Sequence, residues 1–128
     1  LEKLTDFVNE CQKLGVRIAT DDFGSDYLSL RMLLQYPFSI IKLDCSLVME
    51  ATKSETKMNF IRNIVITFHQ LDKIVCVESV EQTDENEIIL NTVCDMIQGY
   101  YHYRPMELGD IYQLVSHINT AHEKAECE

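Results

Sequence analysis

Four short apolar runs that alternate with segments of helical periodicity limit most strongly how this chain can fold. The runs are VRIAT at 16–20, FSIIKLD at 38–44, KIVCVES at 73–79 and VCDMIQGYY at 93–101. They are apolar at both odd and even positions, as strands are in a parallel sheet that is covered on both faces. Helices are predicted at 1–14, 25–35, 54–71, from Thr83 as N-cap to Asn91, and at 106–121. The order predicts an α/β fold with four parallel strands alternating with helices.

Composition excludes several classes of protein. The 128 residues carry a formal net charge of -10 and no run of Lys or Arg, which argues against binding to a nucleic acid polymer. The five cysteines form no C-x-x-C pair and are expected to be reduced. No apolar run approaches the roughly 20 residues that span a bilayer, and no signal peptide is recognised. We therefore expect a cytoplasmic segment with no membrane contact, ending in a polar tail from about residue 119.

Polar residues occur at the end of every predicted strand. They are Asp21 and Asp22, then Lys42 and Asp44, then Glu78, then Gln98. The carboxyl ends of parallel strands meet in one crevice, so these side chains are expected to lie close together. Two adjacent carboxylates converge only if the chain bends, and Phe23-Gly24 permits a bend. Carboxylates are ligands for Mg²⁺ or Mn²⁺, and a pair of such ions can clamp a phosphodiester. A turn or helix cap at Asp21-Asp22, and a structural ion pair at Lys42, remain the alternatives.

Four motifs in register resemble a known family. DDFGSDYLSL, IIKLD, VESVE and QGYYHYRP are similar in order and spacing to the second half of EAL domains, the bacterial phosphodiesterases that linearise cyclic di-GMP. The resemblance extends over residues 1–118. It implies the second half of a TIM-like (β/α)₈ barrel, with residues 1–128 as the C-terminal half of an EAL domain.

The resemblance also implies roles for individual residues. Asp21 and Asp22 match a pair of metal ligands, which bind Mg²⁺ or Mn²⁺ in the intact domain. Lys42 matches the lysine that orients the attacking water, Glu78 a glutamate near the metal site, and Gln98 a glutamine that contacts the water. Asp44 completes the K-x-D pattern, and Glu81 is the second glutamate of its motif, without an assigned role. The implied activity of the intact parent is metal-assisted hydrolysis of cyclic di-GMP.

The chain also departs from the family pattern. No Glu-Ala-Leu triplet occurs, the asparagine and glutamate ligands of the first half are missing, and Asp26 and Ser79 replace glycines. The chain alone is therefore expected to be inactive, and whether the parent is an enzyme stays open. The alternative is a degenerate, non-catalytic EAL domain that acts as a cyclic di-GMP sensor or a protein-interaction module.

Open sheet edges give a third hypothesis. Four strands of a barrel leave two unpaired edges, so we expect pairing with a second copy or with the missing half-barrel.

Exposed aromatic binding groups are not expected from the sequence. The tyrosines at 100, 101, 103 and 112 are predicted to pack at the barrel rim and in the core rather than to stack on guanine.

Overall fold

A computed structural model describes residues 2–24 and 30–125 and shows one parallel sheet with helices between its strands. The sheet has four strands in the order β1-β2-β3-β4, and every neighbouring pair is parallel. The elements in chain order are α1 (Glu2–Lys13), β1 (Ala19–Phe23), α2 (Leu30–Gln35), β2 (Ile40–Asp44), α3 (Cys45–Ala51), α4 (Glu55–Gln70), β3 (Ile74–Glu78), α5 (Thr83–Leu90), β4 (Met96–Ile97) and α6 (Leu108–Ala125).

The core lies between one face of the sheet and the helices α2 to α5. Leu43 of β2 and Val77 of β3 are fully buried, and they belong to the same apolar cluster as Val65 of α4. Strand side chains alternate between faces, so the buried residues at 41, 43, 75 and 77 share this face. On α4 the buried residues 61, 65 and 68 follow the spacing of a helical stripe. The opposite face of the sheet carries Lys42 and Glu78.

The first strand begins later than the sequence predicts. Gly15 has φ 72°, the Val16 amide donates to the Cys11 carbonyl at 2.8 Å, and the Gly15 amide donates to Gln12 at 3.0 Å. These bonds are a Schellman motif, which ends α1 and occupies the Val16 amide. The prediction of a strand at 16–20 is therefore wrong at its start, and β1 continues through the aspartate pair instead of ending before it.

A bulge bends β1 at the two aspartates. The pairing of β1 with β2 changes register between Thr20 and Phe23, and Asp22 has φ 53°. One extra residue in a strand is what defines such a bulge. The bend was expected at Phe23-Gly24. Gly24 does have φ 102°, but the strand already turns one residue before Phe23.

Other boundaries also differ from the predictions. Helix α3 was not predicted and follows β2 directly. Strand β4 is two residues long, although 93–101 was predicted, and Val93 interrupts that run with φ 60°. The N-cap of α5 is Gln82, which forms a capping box with Glu85, and Thr83 is the first helical residue. Helix α6 continues to Ala125 instead of ending near residue 121. The predicted helical start at 25–29 and Asp26 lie outside the described residues.

Both ends of the described structure expose apolar surface. Leu108, Tyr112 and Val115 of α6 are exposed, and so is Phe7 of α1. Strands β1 and β4 pair on one side only within the described sheet. None of the helices in the described ranges has the length and apolar content that a bilayer crossing requires.

Candidate functional site

Three strands contribute charged side chains to one cluster at the carboxyl end of the sheet. The Lys42 ammonium of β2 donates to Oδ1 of Asp21 in β1 at 2.7 Å and also forms an ion pair with Oε2 of Glu78 in β3. The sheet register explains this geometry, because Lys42 lies opposite Cys76 and Glu78 lies two residues further along the same face. Asp21, Lys42 and Glu78 are therefore brought together as the strand-end pattern predicts.

The cluster becomes more buried from Asp21 to Glu78. The side chain of Asp21 is 71% exposed, that of Lys42 is 18% exposed and that of Glu78 is 9% exposed. Burial alone would lower the pKa of Lys42, but its bonds to Asp21 and Glu78 outweigh this effect and raise the pKa well above its usual range. The same Lys42 hydrogen bond holds the pKa of Asp21 below its usual range. Lys42 is therefore a charged donor at neutral pH.

One carboxylate oxygen of this cluster has no hydrogen-bond partner among the described residues. Oε1 of Glu78 is buried and has no hydrogen-bond partner among the described residues. A buried acceptor without a donor is costly and needs an explanation. The atom lies in the predicted site, so it is available to a group that is not one of the described side chains.

Asp22 and Asp44 line a different cavity next to this cluster. It has a volume of about 370 Å³ and is also lined by Phe23, Gly24, Ser46, Leu47 and Glu50. Oδ1 of Asp44 accepts a hydrogen bond from the Ser46 amide at 2.8 Å, which makes Asp44 the N-cap of α3. The Ser46 side chain and, to a smaller extent, the Ser46 backbone amide lower the pKa of Asp44, against the opposing effect of burial. Asp44 thus has a structural function in addition to its predicted place in the site.

Gln98 and Glu81 line a second cavity, of about 260 Å³, together with Ser79, Gly99 and Tyr100. The backbone amide of Gln98 donates to the Val77 carbonyl at 2.8 Å, and this bond holds the end of β4 against β3. Among the described side chains, the structure records no contact from Gln98 to the Lys42 cluster.

The loop after β3 keeps a backbone shape that favours glycine. Ser79 has φ 65° and stands where the motif comparison expects glycine. A left-handed conformation costs a residue with a Cβ atom about 1–2 kcal/mol. Ser79 therefore adopts a backbone conformation that glycine would adopt at lower cost.

The residues fit part of a metal site. Carboxylate oxygens suit Mg²⁺ and Mn²⁺, but Oδ1 of Asp21 is already bonded to Lys42. Within residues 2–24 and 30–125, no group of three or more His, Cys, Asp or Glu side chains is arranged to hold a metal ion. The donor chemistry is suitable and the number of donors is too small.

The sequence interpretation missed an exposed aromatic group beside Gln98. Tyr100 and Tyr103 were expected to pack at the rim and in the core, but they are 51% and 53% exposed. The guanidinium of Arg104 lies 4.5 Å from the centre of the Tyr100 ring. The run of tyrosines after Gln98-Gly99 was the available signal. It was missed because residues 93–101 were interpreted as one apolar strand.

The family model of the EAL domain matches residues 1–105 of the chain. The chain belongs to the EAL domain family. It is 34% identical over 93 residues to the cyclic di-GMP phosphodiesterase RocR of Pseudomonas aeruginosa. The aligned residues cover 73% of the chain and 24% of RocR.

Solved structures of EAL proteins share the fold. The crystal structure of an EAL domain protein from Listeria monocytogenes EGD-e is 33% identical with a TM-score of 0.75, covering 88% of the chain and 45% of that protein. A standalone versatile EAL protein from Vibrio cholerae O395, in its c-di-GMP bound form, is 29% identical with a TM-score of 0.65, covering 73% of the chain and 40% of that protein.

These comparisons confirm part of the sequence interpretation. The family and the arrangement of four parallel strands alternating with helices, as part of an EAL barrel, are confirmed. The chain spans less than a quarter of the length of curated relatives such as RocR, and less than half of these two solved chains. The roles of the individual site residues stay predictions.

Proposed function

We propose that this chain supplies the second half of the catalytic barrel of a cyclic di-GMP phosphodiesterase. The observation that carries the proposal is the contact of Lys42 with both Asp21 and Glu78 at the carboxyl end of the sheet. Catalytic groups of β/α barrels lie at this end. The activity named for RocR and the ligand bound by the Vibrio cholerae protein support cyclic di-GMP as the substrate.

Each residue of the cluster has a proposed role. Lys42 is charged and held by two carboxylates, so it can donate a hydrogen bond to an attacking water or a phosphate oxygen. Asp21 and Asp22 are proposed as ligands of Mg²⁺ or Mn²⁺ only once the first half of the barrel adds donors, because no three acidic side chains of the described residues are arranged to hold an ion. Glu78 shares Lys42 with Asp21 and has an Oε1 atom without a partner among the described residues. A bound divalent ion supplies a more acidic water and neutralises phosphate charge. Gln98 is proposed to contact the water from the neighbouring strand end.

The first half of the barrel is proposed to complete the site. The described residues hold too few donors for a metal ion, and both edge strands and the apolar face of α6 lack a covering element within the described chain. A complementary half-barrel would cover these surfaces, as barrel closure requires.

A reducing cytoplasmic compartment is proposed from the cysteines. The structure describes four free thiols, at Cys11, Cys45, Cys76 and Cys94.

The experiment joins the N-terminus of the chain to the first half of the Listeria monocytogenes EAL domain. We expect this joined domain to convert cyclic di-GMP to its linear form with Mg²⁺ or Mn²⁺, while the 128-residue chain alone shows no turnover. Lys42→Met is expected to abolish turnover. Lys13→Met is the matched control, because the recorded partner of Lys13 among the described residues is Glu10, one turn away on the surface of α1.

The outcome separates the candidate functions. A joined domain that binds cyclic di-GMP with either ion but never yields linear product contradicts the enzyme and supports the nucleotide sensor. A joined domain that folds and does not bind cyclic di-GMP contradicts both.

A further inference from the structure

The Lys42 ammonium lies where carboxylates from the two strands that flank β2 converge. It donates to Oδ1 of Asp21 in β1 at 2.7 Å and pairs with Oε2 of Glu78 in β3. These two contacts raise the pKa of Lys42, so the group is charged at neutral pH. The carboxylate cluster therefore already holds one positive charge, and this charge belongs to the chain itself.

The position of this ammonium has the surroundings that suit a hydrated divalent ion. Mg²⁺ keeps several of its waters in proteins and is commonly bound by only one or two carboxylates. Asp21 and Glu78 provide two carboxylates, and Oε1 of Glu78 has no partner among the described residues. The Asp21 side chain is largely exposed, so water can reach this side of the cluster. The donors that such an ion uses are therefore the donors that hold Lys42.

The ammonium and a divalent ion compete for this position. An ion held by both Asp21 and Glu78 would stand where the Lys42 ammonium stands. Like charges about 4 Å apart repel strongly at the effective dielectric constant of a partly buried site, and a divalent ion doubles the effect. Two carboxylates without further protein donors are therefore expected to favour the tethered ammonium over an ion from solution.

We propose that Lys42 is a resident cation that keeps divalent ions out of the half-barrel until the donors of the first half displace it from Asp21. This inference rests on the metal ligands proposed above and adds the regulation of their site. Once displaced, the ammonium stays on Glu78 and is free to donate to a water or a phosphate oxygen, the role proposed for it. Loading of the ion and release of the lysine are then one event. The alternative is an ion pair that is only structural, whose removal leaves the affinity for metal unchanged.

The test titrates the 128-residue chain with Mn²⁺ and follows the electron paramagnetic resonance signal of the free ion. We expect Lys42→Met to bind Mn²⁺ at least about tenfold more tightly than the unmodified chain, because the repelling charge is gone. Lys42→Arg keeps the charge and should bind as weakly as the unmodified chain. Lys42→Gln replaces methionine if that variant does not fold, since its amide still donates to Glu78. Mn²⁺ should also raise the urea midpoint of the uncharged variant and leave that of the unmodified chain in place.

Matched controls come from the same chain. Lys53→Met also separates an ammonium from a carboxylate, that of Glu50, which lines the cavity next to the cluster, and it leaves Lys42 in place. This control should bind Mn²⁺ no more tightly than the unmodified chain. Adding Glu78→Gln to Lys42→Met should abolish the gain, because one of the two carboxylates is then lost. An unmodified chain that binds Mn²⁺ as tightly as Lys42→Met, or an equal gain in Lys53→Met, overturns the inference.

The joined domain distinguishes failure of this inference from failure of the proposed function. With Lys42 unchanged, the joined domain should bind Mn²⁺ more tightly than the 128-residue chain, because the added donors displace the ammonium. If the joined domain hydrolyses cyclic di-GMP and Lys42→Met gives the 128-residue chain no gain in Mn²⁺ affinity, the inference is wrong and the function stands. If that gain is observed and the joined domain neither binds nor hydrolyses cyclic di-GMP, the inference stands and the function fails.

Discussion

Replacing Lys42 by methionine should destabilise the fold even without ligand. Methionine keeps most of the length of the side chain but removes the ammonium group. Glu78, only 9% exposed, then loses the partner of Oε2, and its Oε1 already has no partner among the described residues. The result is a buried carboxylate without a compensating charge.

The magnitude follows from burial. Removing one partner of a buried ion pair costs about 3–5 kcal/mol. Lys42 is 18% exposed, so water can reach part of the vacated space, and we expect the lower end, about 3 kcal/mol. The contact with Asp21 adds little, because that carboxylate is 71% exposed and exposed pairs contribute at most about 1 kcal/mol.

A double-mutant cycle with Glu78→Met isolates the pair. Glu78→Met alone leaves Lys42 bonded to Asp21 and should cost about 1–2 kcal/mol. In the double variant two apolar side chains replace the pair, and it should be more stable than Lys42→Met alone. Urea unfolding followed by circular dichroism measures each free energy of unfolding. If the double variant loses the sum of the two single losses, within about 0.5 kcal/mol, the pair is not coupled and the reasoning is refuted.

Three further predictions concern the elements around the site. Asp44→Ala should lower the free energy of unfolding by about 1 kcal/mol through loss of the α3 N-cap, and Asp44→Asn by less, as urea unfolding would show. Gly99→Ala should cost about 3 kcal/mol or prevent folding, because its Cβ overlaps the Val80 backbone; unchanged stability would contradict the close contact. Burial would raise the pKa of Asp95, but bonds from the Val75 amide and His69 lower it, so its contribution is present above roughly pH 4 and lost as the pH falls further. Asp95→Asn should therefore flatten the acid limb of a plot of stability against pH.

Long helices with a clear apolar stripe are predictable from this sequence. Helix α4 differs from its predicted range by one residue at each end, and α1 ends one residue before its predicted end, because three or four turns of periodic side chains define the buried face. The strand-end pattern likewise predicts the contact of Lys42 with Asp21 and Glu78, but it also predicts Gln98 beside them, and no such contact is recorded among the described side chains. Parallel strands end at one edge of the sheet, so this depends on topology more than on local detail.

Features that depend on single hydrogen bonds were not predictable. The sequence analysis gives Asp44 only as part of the K-x-D pattern, and the structure adds its bond to the Ser46 amide and the helix that follows. The short length of β4 is a second feature of this kind. The Asp95 carboxylate accepts from the Val75 amide at 2.7 Å, which takes the place of a longer β4 ladder. A pattern of apolar residues does not contain these competing side-chain bonds.

The bulge in β1 explains why two aspartates occur side by side at the strand end. In a regular strand, residues 21 and 23 would face the same side of the sheet. Here Asp21 bonds to Lys42 on one face, while the Phe23 ring packs edge-on against Phe68 of α4, with centroids 5.1 Å apart, on the other. The extra residue, Asp22, reverses the alternation between them through its positive φ, a conformation that aspartate tolerates better than a β-branched residue does. One irregular residue therefore places a carboxylate in the site, an aromatic ring in the core, and its own carboxylate in the adjoining cavity.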